Sequence, residues 1–67
     1  MNSYQIRCVF NHDDVLGHIV AASYDRAKEL YQRKLFWDLH DYEIILLSEN
    51  ITDKHGNSIK ERIKLFN

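Results

Sequence analysis

The residues best able to do chemistry stand in two short clusters, His12-Asp13-Asp14 and Asp38-x-His40-Asp41. Imidazole and carboxylate together suit zinc or manganese. Yet both clusters fall in segments where Asp, Asn and His are what a tight turn asks of the backbone. No metal is therefore expected at either. Ser23, Ser48 and Ser58, with the four histidines, supply the parts of a nucleophile–base pair, but none stands in a nucleophile-elbow context. Gly17 and Gly56 are single and far apart, which excludes a glycine-rich phosphate loop. His18 lies in an apolar run and reads as a satisfied core or edge histidine, and His55 beside Gly56 reads as a turn residue. The sequence thus points to no catalytic residue, no metal ligand and no cofactor.

What remains is charge and aromatic surface. The net charge of −1 conceals a segregation. Residues 38–53 carry Asp38, Asp41, Glu43, Glu49 and Asp53 with no Lys or Arg, a net of −5. Residues 23–37 are net +2 and residues 54–67 net +3. The plain reading is that these charges keep a small surface soluble. The sharper reading is an acidic sector that steers towards a basic groove on a partner. On that reading Trp37, Asp38, Asp41, Tyr42, Glu43, Glu49 and Asp53 are the candidate partner-binding residues, with Trp37 or Tyr42 as the anchor. The alternative is nucleic-acid binding by Arg26, Lys28, Arg33 and Lys34, close in sequence to Tyr24, Tyr31 and Trp37. A pI of about 6.4 weighs against it.

The elements that must hold these residues follow from periodicity. Tyr4–Phe10 alternates, with Tyr4, Ile6, Cys8 and Phe10 on one face, and reads as a half-buried strand. Asn11–Asp14 is a turn, and Val15–Ala22 is a second strand closing an antiparallel hairpin, with Gly17 a candidate bulge. Ser23 suits a helix N-cap, and from Tyr24 to about Phe36 the residues Ala27, Leu30, Tyr31 and Leu35 recur at helical spacing. The unbroken run Ile44-Ile45-Leu46-Leu47 within Tyr42–Leu47 suits a strand covered on both faces, near the sheet centre. Asp53–Asn57 is a turn. Ser58–Phe66 fits either a short helix, with Ser58 and Glu61 as a capping box, or a strand returning along residues 44–52. The glycine turn between two apolar runs favours the strand.

The expected fold is therefore α+β, a ββαββ order with one helix packed on an antiparallel sheet, in one domain spanning residues 1–67. Sixty-seven residues, 45% hydrophobic and 28% charged with no Pro, are a folded composition too short for most large-enzyme classes. No apolar run approaches the roughly 20 residues of a membrane span, so no membrane partner is expected. A lone Cys8 cannot form an intrachain disulfide and reads as a buried small hydrophobe, which suits a reducing cytoplasm. Alternation places Val9, Ile45 and Leu47 on the sheet face away from the helix, where a homodimer or another partner would cover them.

The stretch His18-Ile19-Val20-Ala21-Ala22-Ser23-Tyr24-Asp25-Arg26-Ala27-Lys28-Glu29-Leu30 resembles the strand-to-helix junction of very small phage and mobile-element proteins. Residue usage rich in Ile, Lys, Asn and Tyr is similar to that of low-GC bacterial or phage genes. The resemblance covers about a fifth of the chain. It implies an anti-defence factor of the anti-CRISPR kind, which inhibits by binding a larger enzyme or defence complex in the host cytoplasm. The expected function is then a non-enzymatic inhibitor that occupies a host protein's surface. A nucleic-acid-binding regulator or a small toxin-type ribonuclease is the rival.

Overall fold

The computed structural model describes residues 1–11, 13–34 and 42–66. Its elements run β1 (Asn2–Cys8), β2 (Val15–Ala21), α1 (Tyr24–Lys34), β3 (Tyr42–Ser48) and β4 (Arg62–Leu65). The α+β ββαββ fold expected from periodicity is the fold observed. The four strands form one antiparallel sheet in the order β3-β1-β2-β4.

Local chemistry sets most boundaries. Ser23 caps α1: its Oγ accepts from the Arg26 amide at 3.2 Å and its carbonyl accepts from the Ala27 amide at 3.0 Å. The β1–β2 turn closes through Cys8 N donating to Asp14 O at 3.1 Å, with the Asn11 side chain accepting from the Asp13 amide. That closure ends β1 at Cys8, two residues earlier than alternation suggests. Phe10 consequently stands 82% exposed, and Cys8 is half-buried rather than buried. The bulge in this hairpin falls at Leu16, since Ile6 pairs with Gly17 and Arg7 with Val15.

Gly17 has another duty. A Cβ there would lie 2.5 Å from the Lys64 carbonyl oxygen and 3.0 Å from a Leu65 methyl group, so the close approach of β4 to β2 requires glycine. The core lies between the sheet and α1. It consists of Tyr4, Ile6, Ile19, Ala21, Ala27, Tyr31 and Ile44, with Leu16, Leu30, Tyr42, Ile63 and Leu65 packed around it.

Two expectations about the sheet are overturned. β3 is an edge strand, not a central one, and β4 pairs with β2 instead of returning along β3. Both follow from the path of the chain. β2 and β3 run parallel to one another with β1 between them, so α1 carries the chain across β1 to that strand's far side. β4 then takes the remaining edge of β2. Of the four apolar residues in β3 only Ile44 is buried, while Leu46 and Leu47 are 45% and 47% exposed. Ser58 does not cap a helix: Asp53 organises the preceding turn by accepting from the His55 and Asn57 amides, and the chain becomes a strand only at Arg62.

Candidate functional site

Register defines the surface opposite α1. Ile45, Gln5, His18 and Lys64 lie side by side across the four strands. A second row is Ser48, Ser3, Val20 and Arg62, and a third begins with Glu43, Arg7 and Val15. No helix or strand among the described residues packs on this face. Of the apolar members of these rows Val20 is buried and Ile45 and Val15 are half-buried, and the other named residues are polar or charged. The expected apolar face of Val9, Ile45 and Leu47 is therefore not what the sheet presents. Val9 lies beyond the end of β1, and Leu47 sits where the β1–β3 register shifts between Ser3 and Tyr4. The reason for expecting a second copy on this face goes with it.

Among the described residues the face sets Arg7, Arg62 and Lys64 against Glu43, a formal net charge of +2. Its side chains touch one another. Arg7 Nε donates to Gln5 Oε1, and the Gln5 amide lies 3.4 Å from His18 Nε2. The His18 and Phe66 rings meet edge to face, their centroids 5.1 Å apart at 73°. The Lys64 ammonium lies 6.0 Å from the Phe66 ring centroid. Phe66 belongs to this face because its amide donates to the Leu16 carbonyl, which continues the β2–β4 ladder one residue beyond Leu65.

The four helix cations behave differently from the way their sequence positions suggest. Arg26 is clamped by Glu61: Nη2 lies 2.7 Å from Oε1, and Nε donates to both carboxylate oxygens. Arg26 also meets Glu29 at 2.7 Å, and Arg33 meets the same Glu29 oxygen at 2.6 Å. The Arg26 hydrogen bond holds the Glu61 carboxyl below its ordinary range, and Glu61 in turn raises the guanidinium. Two of the four cations are thus already matched by carboxylates, and Lys28 and Lys34 remain exposed on α1.

The acidic set is dispersed. Trp37, Asp38 and Asp41 lie outside the described residues. Tyr42 packs edge to face on Tyr31 at 4.5 Å, where it supports the core. Glu43 faces Arg7 across the β1–β3 pairing. Glu49 and Asp53 are exposed in the segment after β3, and Asp53 is committed to its turn. As for metal chemistry, Asp13 and Asp14 sit in the hairpin turn, while His12, Asp38, His40 and Asp41 lie outside the described residues. No group of three His, Cys, Asp or Glu comes together among the described residues.

The second notable surface is the outer edge of β3. Among the described residues β3 pairs only with β1, and its sequence Tyr42-Glu43-Ile44-Ile45-Leu46-Leu47-Ser48 contains no Lys, Arg or Pro. Natural sheets usually guard such an edge with those residues. Among the described residues no helix is long and apolar enough to cross a membrane. No protein-family model, curated protein or solved structure matches the chain.

Proposed function

We propose that this chain is a non-catalytic binding protein that acts by occupying the surface of a larger protein. This is the phage-type, anti-defence inhibitor implied by the strand-to-helix resemblance, working in the host cytoplasm. Its contact is the edge of β3, to which an extended segment of the partner adds as a further strand. The observation that carries the reading is this edge itself: seven residues without a basic or proline guard, with two leucines nearly half exposed. Main-chain hydrogen bonds along β3 would supply affinity, and Leu46 and Leu47 would supply the apolar contact. Glu49, just beyond the strand, adds a carboxylate suited to a basic rim on the partner.

Capture from host lysate before and after nuclease treatment tests the reading when it includes a Leu46→Lys/Leu47→Lys variant. A stoichiometric protein that survives nuclease and is lost with the double variant is the expected result. Capture unchanged by the double variant overturns the edge contact. RNA hydrolysis by the purified protein, abolished by His55→Ala, would overturn the non-catalytic class in favour of a ribonuclease. A second copy pairing through β3 would instead appear as a dimer in light scattering that the double variant dissociates.

A further inference from the structure

The sheet face opposite α1 carries an inference that does not depend on the β3 edge. We propose that this face binds a single strand of nucleic acid, with Arg62, Lys64 and Arg7 meeting phosphates and Phe66 stacking on a base. Unpaired strands are held by a basic track beside aromatic rings, because every base offers a π-face and every linkage a negative charge. Both parts are present on this face. Arg62 and Lys64 are exposed and two residues apart on β4, about 6.8 Å along an extended strand. Arg7 stands two strands away, about 10 Å across the sheet. Phe66 is 39% exposed, and the edge-to-face contact with His18 at 5.1 Å orients its ring.

Charge complementarity selects this face over the helix. On α1 the two arginines are matched by Glu29 and Glu61. On the sheet the three cations outnumber Glu43, the one acidic residue in these rows among the described residues. An acidic peptide would satisfy the charges but would leave Phe66 without a stacking partner, so the aromatic ring decides for a polynucleotide. Phosphates and base faces are common to RNA and DNA.

The test is fluorescence anisotropy with labelled ten-nucleotide RNA and DNA strands of mixed sequence, their duplexes, heparin, and a glutamate-rich peptide. With about three phosphates neutralised, affinity for a single strand falls roughly tenfold as salt rises from about 0.05 to 0.15 M. Arg62→Glu/Lys64→Glu abolishes binding. Phe66→Leu, which keeps an apolar side chain on the strand but removes the ring, weakens it about five- to a hundred-fold. Glu43→Gln strengthens it. Leu46→Ala/Leu47→Ala, which trims the β3 edge without adding charge, leaves it unchanged, which separates failure here from failure of the edge contact. The comparison of RNA with DNA shows which strand is preferred. Several results would overturn the proposal: no binding at low salt, equal binding of duplex, insensitivity to Phe66→Leu, or equal capture of heparin or peptide. Loss of binding in Lys28→Glu/Lys34→Glu would return the site to the helix.

Discussion

Arg26 of α1 grips Glu61, 35 residues later, through three hydrogen bonds of 2.7 to 3.1 Å, and so ties the helix to the segment that leads into β4. β4 contributes only four residues to the sheet, so this ion pair is part of what fixes the approach of the last strand. Because the Arg26 hydrogen bond depresses the folded carboxyl, its stabilising contribution is fully present above the ordinary value of 4.5. It is lost as pH falls through the depressed folded value. Thermal unfolding followed from pH 6 down to about 3 should show wild-type Tm falling more steeply than that of Glu61→Gln below about 4.5. Parallel curves for the two proteins would mean that the pair does not couple to folding.

A second expectation separates the core from the exposed leucines. Ile6 and Ile19 are fully buried, and truncating either to Ala should cost about 2–5 kcal/mol. A 67-residue domain has only roughly 3–10 kcal/mol in total, so Ile6→Ala should lose much or all of its cooperative unfolding transition. Leu47→Ala, by contrast, should stay within about 0.5 kcal/mol of wild type. Chemical denaturation measures both. A large loss at Leu47 would place it in a packed environment and remove it from the proposed contact.

The helix and the first hairpin were legible because their signals are local. Ser23 caps, Ala27 and Tyr31 recur one turn apart, and Asn11 with Asp14 closes a turn, all within a few residues. The place of β3 was not legible. A run such as Ile44–Leu47 reports apolar character, whereas strand order depends on how α1 crosses β1 and which edges remain free. The functional surfaces failed for the same reason. Arg26 looks available for phosphate until Glu61 is brought to it from the far end of the chain. His18 reads as an isolated strand histidine until the β2–β4 register sets Lys64 beside it and Phe66 closes over the pair. Charge counted along the sequence located an acidic segment, but folding spreads Glu43, Glu49 and Asp53 over different surroundings.

Gly17 gives a backbone test of the β2–β4 contact. In Gly17→Ala the new methyl group would meet the Lys64 carbonyl at 2.5 Å, and a backbone atom cannot rotate out of the way as a side chain can. β4 must shift, at a cost of about 1–3 kcal/mol, or a Tm lower by roughly 4–24 °C. Hydrogen exchange should localise the change, with loss of protection at the Phe66 amide, which donates to Leu16, and little change in the β1–β3 ladder. Uniform loss of protection across the sheet would show that β4 is not a separable element.

Tyr31 sets the alkaline limit. Its side chain is 4% exposed, its ring is 4.5 Å from that of Tyr42, and burial, followed by the neighbouring Tyr42 charge, raises its phenol above the ordinary 10.0. In the unfolded chain the same phenol ionises near 10.0, so above that pH the unfolded state sheds a proton that the folded state retains. The stability tied to Tyr31 is therefore complete below pH 10 and lost as pH rises through the raised folded value. Tyr31→Phe has no proton to release and keeps the ring against Tyr42. Its stability should fall less steeply than wild type above pH 10, while the two proteins run parallel between pH 7 and 9. Denaturant unfolding at a series of pH values, paired with tyrosinate absorbance, measures both sides of the linkage. A wild-type alkaline limb no steeper than that of Tyr31→Phe would show that the Tyr31 phenol ionises as readily in the folded protein as in the unfolded chain.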